Sequence, residues 1–173
     1  TPPNIDELIK KLQDKINKFL PGGASGGILP ASKADIPLDF GGRLAEEGCF
    51  VGSHAVVVLS DQDNVWQVAQ NLMQFFAHES CGQCTPCRSG TDKAAELMAA
   101  PCSDTDLLSE LAVTMADASI CGLGQAAPNP LLSAIKYFPQ DMNQVDIIQG
   151  DIRQDGSVAA KAKPASKRAM GYE

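Results

Sequence analysis

The chain has 173 residues, which is enough for one hydrophobic core and a small additional module. Hydrophobic residues make up 44% of it and charged residues 20%, a composition typical of a globular rather than a disordered chain. The formal net charge of −7 argues against nucleic-acid binding, because phosphate contacts need a basic face. No apolar run is long enough to span a bilayer and no signal pattern opens the chain, so we expect a cytoplasmic protein without membrane insertion.

The apolar residues near the start of the chain recur at helical spacing. The pattern predicts an amphipathic helix over about residues 5–20, ended by Pro21 and two glycines. The glycine-rich stretch 22–27 follows this predicted helix, whereas a nucleotide-binding glycine loop lies between a strand and a helix, so we interpret the stretch as a turn. The valine-rich run 55–59 predicts a strand. Residues 1–60 are therefore predicted to form a small α+β module.

The second half of the sequence is predicted to be helical. Four segments with apolar residues at helical spacing or with helix end signals indicate a small four-helix bundle over residues 61–140. Residues 141–173 form a C-terminal extension that we expect to be partly flexible, with a short strand or docking segment at 145–148. The four helical segments are 65–76, 91–100, 107–115 and 131–138.

Four cysteines form the most specific motif. Cys81, Cys84 and Cys87 make a C-x2-C-x2-C triplet, and Cys121 follows 34 positions later. Thiolates at that spacing can each hold a different iron of a cubane, with the fourth thiolate coming from elsewhere in the chain. Zinc also takes four cysteines, but its sites usually come as two separated C-x2-C pairs. A 4Fe–4S cluster is therefore the favoured interpretation, with zinc or a disulfide framework as alternatives.

The fourth ligand has two candidates. Cys121 is flanked by Gly122 and Gly124, which would let the backbone approach a cluster sulfur. Cys102 lies 15 residues after Cys87 and has no neighbouring glycine. We therefore predict that Cys121 completes the set, and that Cys102 and Cys49 are ordinary small side chains.

The two cysteine segments resemble a known family. The run HESCGQCTPCR, residues 78–88, resembles the cluster motif of the flavin-carrying subunit of complex I. The same motif occurs in the related subunits of NAD-linked hydrogenases and NAD-dependent formate dehydrogenases. The run SICGLG, residues 119–124, resembles the second segment of that motif, although Gly122 stands where respiratory members commonly have alanine. Segments 21–25, 36–40 and 48–53 resemble the β-grasp ligand-binding domain of the same subunits, so the resemblance covers about residues 5–140.

The resemblance implies an α+β chain, in which a partial β-grasp-like module precedes a four-helix bundle holding one 4Fe–4S cluster. It implies that Cys81, Cys84, Cys87 and Cys121 are the ligands. It also implies that electrons pass singly between a flavin and an iron–sulfur centre of a partner subunit, such as a ferredoxin-like subunit.

In the family, FMN and NAD bind a preceding domain with a glycine-rich loop that this sequence lacks, so the chain resembles the C-terminal part of a longer subunit. Among the possible complexes, the alanine- and lysine-rich end of the chain favours a formate dehydrogenase. A non-redox scaffold, stapled by a cluster or by zinc, is the alternative function.

Overall fold

The structure is a computed structural model and describes residues 18–100 and 103–143. Three short strands and six α-helices lie in these ranges, so the predicted α+β class is confirmed. The strands are β1 (Lys18–Pro21), β2 (Leu29–Pro30) and β3 (Val56–Leu59). The helices are α1 (Arg43–Glu46), α2 (Val65–Glu79), α3 (Thr85–Ala99), α4 (Thr105–Ala118), α5 (Gly122–Ala126) and α6 (Asn129–Tyr137). Three short 3-10 segments also occur, at Gly23–Ser25, Ala31–Lys33 and Pro139–Asn143.

The strands form one antiparallel sheet in the order β2-β1-β3. Phe19 in the central strand pairs with Leu29 on one side and Val58 on the other. The predicted helix over 5–20 is therefore wrong at its C-terminal end, while residues 5–17 lie outside the described ranges. Pairing with two strands that are distant in sequence outweighs the local helical spacing, as tertiary context often does. The predicted strand at 55–59 is confirmed as β3.

The glycine-rich stretch 22–27 is a turn, as predicted, but for a different reason. It follows strand β1 rather than a helix, and it leads through a 3-10 segment into strand β2. Gly23 and Gly27 have φ values of 70° and 78°, a region that side chains other than glycine rarely adopt. A Cβ atom at Gly22 would lie 2.1 Å from the carbonyl oxygen of Phe50. The glycines thus allow a tight connection between two strands, and no helix follows that could bind a phosphate.

Helices α2 and α3 form a hairpin around the cysteine triplet. Helix α2 has the predicted apolar stripe, and the Asn64 side chain caps it by accepting a hydrogen bond from the Gln67 N–H at 3.0 Å. Helix α3 begins at Thr85, six residues before the predicted start at 91. Pro86 lies in its first turn, where the missing N–H costs nothing and the fixed φ suits a helix. The triplet therefore continues into a helix instead of remaining in a loop.

The remaining helices return the chain to the sheet. Helices α4 and α6 correspond to the predicted segments 107–115 and 131–138, although α4 starts earlier and continues to Ala118. The short helix α5, after Cys121, was not predicted. The predicted strand or docking segment at 145–148 and the predicted flexible extension lie outside the described ranges. No helix in the described ranges is both long and apolar enough to cross a membrane.

One buried core joins the helices to the sheet module, which is the part of the chain that contains strands β1 to β3. Leu20 and Ile28 from the first module pack in the same hydrophobic cluster as helices α2, α3, α4 and α6. The indole of Trp66 is almost fully buried, and its Nε1–H donates to the Met98 carbonyl at 3.1 Å, which ties the start of α2 to the end of α3. Helices α3 and α4 approach closely at Gly90, where a Cβ would lie 2.6 Å from Cγ of Met115. These contacts fix the helices on which the cysteines are placed.

Polar contacts also connect helix α6 to the sheet module. The Ser133 Oγ accepts a hydrogen bond from the buried Ile28 N–H at 2.8 Å and donates to the Asn129 carbonyl at 2.8 Å. On the surface, the Glu47 carboxylate accepts hydrogen bonds from Lys33 and Tyr137, and these bonds lower its pKa to about 2. Residues more than 80 positions apart are thereby held in one arrangement.

We predict that Ser133→Ala lowers the free energy of unfolding by about 1–3 kcal/mol, because the buried N–H of Ile28 then lacks a partner. The matched control is Ser109→Ala, since the Ser109 hydroxyl donates to the Thr105 carbonyl of its own helix and not to a distant segment of the described chain. This control should change stability by less than about 0.5 kcal/mol. Chemical denaturation of the two variants measures both values, and equal effects would contradict the assigned role of Ser133.

Candidate functional site

The structure brings the four predicted cysteines to one recess. Cys81 and Cys84 lie in the connection between α2 and α3, and Cys87 lies in the first turn of α3. Cys121, which is 34 residues after Cys87 in the sequence, lies in the connection between α4 and α5. Two separate connections, each held by a pair of packed helices, therefore supply the sulfur atoms. The other residues that line the recess are Glu79, Ser80, Gln83 and Leu123.

Burial differs among the four thiols. Cys87 is buried and Cys84 is half-buried, whereas Cys81 and Cys121 are exposed. Cys84 is the N-cap residue of the 15-residue helix α3, and Cys87 is in its first turn. The positive end of a helix dipole favours a negatively charged group at this end of the helix. The inner side of the recess is thus prepared for anionic sulfur, while its outer side meets solvent.

Backbone amides point at the sulfur of Cys84. The N–H groups of Ile120 and then Cys87 hold the pKa of Cys84 below its usual range, because hydrogen bonds to sulfur favour the charged form. Ile120 belongs to the second cysteine segment, so this contact also joins the two segments. The sequence instead points to Gly122 and Gly124 as the places where the backbone approaches sulfur. Nothing in the sequence marks Ile120, because any residue except proline supplies the same N–H at that position.

The glycines have other roles in the structure. Gly82 has a φ of 75°, and its carbonyl accepts a hydrogen bond from the Arg88 guanidinium at 2.7 Å. Arg88 therefore braces the loop between the first two cysteines. Gly124 allows close packing, since a Cβ there would lie 2.8 Å from the Cβ of Cys87 and 2.5 Å from the Ser119 Oγ. Gly122 has open space around it.

Two serines complete the surroundings of the recess, and neither was predicted. The Ser80 Oγ lies 3.4 Å from the Cys87 sulfur and accepts from the Gly82 N–H at 3.3 Å. The Ser119 hydroxyl is buried and lies close enough to Cys84 to lower its pKa, but it completes no hydrogen bond within the described ranges. A buried hydroxyl without a partner has a cost unless an acceptor is supplied, and a sulfur-rich group in the recess would supply one.

The remaining cysteines do not join this site where the structure describes them. Cys49 is buried with Leu29 and Leu44 in a second hydrophobic cluster, separate from the core described above. Burial raises the pKa of its thiol to about 11. It is therefore an ordinary core side chain. Cys102, the rival fourth ligand, lies outside the described ranges.

The donor set of the recess fits a group with several metal atoms. Within residues 18–100 and 103–143, no three His, Cys, Asp or Glu side chains are arranged around one ion position. A tetrahedral zinc site with Zn–S bonds of about 2.3 Å would bring its sulfurs to within about 4 Å of one another. A cluster instead offers each thiolate a different iron, so its ligands stand farther apart. The four cysteines, the amides at Cys84 and the unpaired Ser119 hydroxyl all fit such a group.

A family model matches the part of the chain that contains this recess. Residues 67–145 match the NADH-ubiquinone oxidoreductase-F iron-sulfur binding region. A subunit of the NADH-quinone oxidoreductase of Streptomyces coelicolor is 32% identical over 136 residues, which are 75% of this chain and 30% of the relative. The HndC subunit of the NADP-reducing hydrogenase of Solidesulfovibrio fructosivorans is 35% identical over 69% of this chain and 26% of its own length.

Solved structures show the same similarity. A crystal structure of an NAD+-reducing NiFe hydrogenase in the H2-reduced state matches 75% of this chain, with a TM-score of 0.65 and 31% identity. The match covers 23% of the hydrogenase chain, so this chain spans less than a third of the length of these relatives. The predicted resemblance is confirmed. Residues 67–145 match the NADH-ubiquinone oxidoreductase-F iron–sulfur binding region, and this match indicates a 4Fe–4S cluster.

Proposed function

We propose that this chain is the electron-transfer module of a multisubunit NAD-linked oxidoreductase, with a 4Fe–4S cluster held by Cys81, Cys84, Cys87 and Cys121. The observation that supports it best is the meeting of these four cysteines, from two distant segments, in one recess within the matched family region. When bound, such a cluster supplies single-electron transfer at a potential set by the surrounding protein.

The protein contributes ligands and a polarised environment to this proposed site. The amides of Ile120 and Cys87 favour the thiolate form of Cys84, which is the N-cap residue of helix α3. The Arg88 bond to the Gly82 carbonyl holds the loop on which Cys81 lies. These fixed dipoles are in place before any charge arrives, so little reorganisation is needed when the charge of the site changes.

The exposed side of the recess suits exchange of electrons with another protein surface. Cys81 and Cys121 are exposed, and the neighbouring Ile120 side chain is 72% exposed, so the site meets solvent through a partly apolar rim. We propose that FMN and NAD bind a preceding domain and that a ferredoxin-like iron–sulfur subunit is the other partner. The names of the relatives support such an assembly, since they are subunits of NADH-quinone oxidoreductase and of a hydrogenase.

The domain organisation is part of the same proposal. We assign residues 1–60 to a partial β-grasp-like module, 61–140 to a four-helix cluster-binding domain and 141–173 to an extension. The antiparallel sheet and the packing of α2, α3, α4 and α6 support the first two assignments. The shared core implies that the first two parts fold as one unit.

The proposal also includes the type of complex to which the chain belongs, and therefore the substrate that exchanges electrons with the flavin. The lysine-rich end of the chain favours an NAD-dependent formate dehydrogenase of the cytoplasm, whereas the relatives described above belong to quinone reductases and hydrogenases. Affinity purification of the chain from its native cells, followed by mass spectrometry of the co-purifying subunits, distinguishes these complexes. Recovery of a formate-oxidising subunit would support the first, and a quinone-linked or hydrogenase subunit would exclude it.

The first prediction from the proposed function concerns the metal content. Protein prepared without oxygen should contain about four irons and four acid-labile sulfides per chain, because four thiolates on separate irons fit a cubane. Iron and sulfide assays together with visible absorption measure this. Stoichiometric zinc without sulfide would instead support the non-redox scaffold.

The second prediction concerns the fourth ligand. Cys121→Ser should abolish the 4Fe–4S spectrum or convert it, and should lower the melting temperature because metal binding contributes to folding. Cys102→Ser and the buried control Cys49→Ala should both keep the spectrum. A normal spectrum in Cys121→Ser combined with its loss in Cys102→Ser would show that the ligand assignment is wrong.

The third prediction is that this chain alone does not oxidise NADH. A hydride donor gives up two electrons together, so a flavin must separate the pair before single electrons can move on. Dithionite should bleach the cluster, whereas NADH should neither bleach it nor reduce an added dye. Activity should appear when the flavin-binding domain of a relative is added. NADH-driven bleaching at a catalytic rate in a flavin-free sample would refute this division of roles.

A further inference from the structure

The Ser119 hydroxyl is a buried donor that the rest of the fold leaves unused. Ser119 is 4% exposed and caps the C-terminus of helix α4, two residues before Cys121. Its backbone is satisfied, because its N–H donates to the Met115 carbonyl at 3.2 Å and its carbonyl accepts from the Gln125 Nε2 at 3.0 Å. Among the buried side-chain nitrogen and oxygen atoms of the described residues, the Ser119 Oγ is the one without a partner.

The position of this hydroxyl is fixed by close packing at the recess. If Gly124 had a Cβ atom, this atom would lie 2.5 Å from the Ser119 Oγ and 2.8 Å from the Cβ of Cys87. Only the absence of a side chain at Gly124 lets the serine and the cysteine approach in this way. The hydroxyl is shielded from solvent, and it lies close enough to the Cys84 sulfur to lower the pKa of that thiol.

We propose that Ser119 sets the reduction potential of the site by donating a hydrogen bond to sulfur, either of a ligand thiolate or of the cluster itself. The inference rests on the proposed function. One-electron reduction makes the sulfur atoms more negative, so a donor aimed at them stabilises the reduced state more than the oxidised state. Without this hydroxyl, reduction is less favourable and the potential falls.

The test compares Ser119→Ala with Thr91→Val in the full chain after anaerobic reconstitution. Thr91 is a fitting control because its hydroxyl is also buried near the site but bonds the Cys87 carbonyl at 2.8 Å. Iron and sulfide are counted first, and a redox titration followed by electron paramagnetic resonance then gives each midpoint potential. Loss of one hydrogen bond to sulfur should lower the equilibrium constant for reduction about 3- to 10-fold, because only the difference in its strength between the two oxidation states contributes. The upper limit corresponds to about 59 mV for one electron.

The outcomes distinguish a failure of the role proposed for Ser119 from a failure of the proposed electron-transfer function. A lower potential in Ser119→Ala with an unchanged potential in Thr91→Val supports the proposal. Clusters that load fully but have the wild-type potential in Ser119→Ala overturn it, and Ser119→Gly removes the same hydroxyl if the alanine variant loads poorly. A wild-type chain without four irons and sulfides overturns the proposed function itself.

A measurement on the wild-type protein covers the case in which neither variant loads. After exchange into D2O, electron–nuclear double resonance of the reduced protein should show a strongly coupled exchangeable deuteron from the Ser119 hydroxyl in addition to those from the amides of Ile120 and Cys87, which also exchange. The additional deuteron supports the proposal, and a spectrum that the amide deuterons alone account for overturns it.

Discussion

The organisation of this chain depends on bringing four sulfur atoms from two distant segments to one recess. The triplet at 81–87 lies between α2 and α3, whereas Cys121 lies between α4 and α5. Neither segment can hold a cubane alone, because each of the four irons needs its own thiolate and neither segment has four cysteines. The close approach of α3 and α4 at Gly90 and the hydrogen bond from Trp66 to Met98 keep the two connections side by side. The helical core thus positions the four cysteines.

The same requirement explains the features around the recess. Anionic sulfur in a partly buried place needs donors, and the chain supplies them with the N-terminus of α3 and with the amides of Ile120 and Cys87. Gly124 leaves room for Cys87 and Ser119 to approach each other. Cys49 shows the opposite case, because it is buried without such donors and its pKa rises to about 11. The difference between a ligand and a core cysteine is therefore a difference in surroundings.

Much of the site could be predicted from the sequence, and the reasons for the exceptions are physical. Cysteine spacing is local and specific, so it identified the segments that meet. Strand β1 was mistaken for the end of a helix because its pairing partners lie far away in the sequence. Helix α5 has only five residues, too few to show a period. Ser119 could not be singled out, since a serine becomes a buried, unpaired donor only through tertiary packing.

The central claim is that Cys81, Cys84, Cys87 and Cys121 each bind one iron of the same cluster. Anomalous diffraction at the iron edge, from crystals of the anaerobically prepared protein, tests it most directly. The account predicts four iron peaks in the recess, one within bonding distance of each of these four sulfurs. A single peak at the zinc edge, or a cluster whose fourth iron is bound by Cys102, would contradict it.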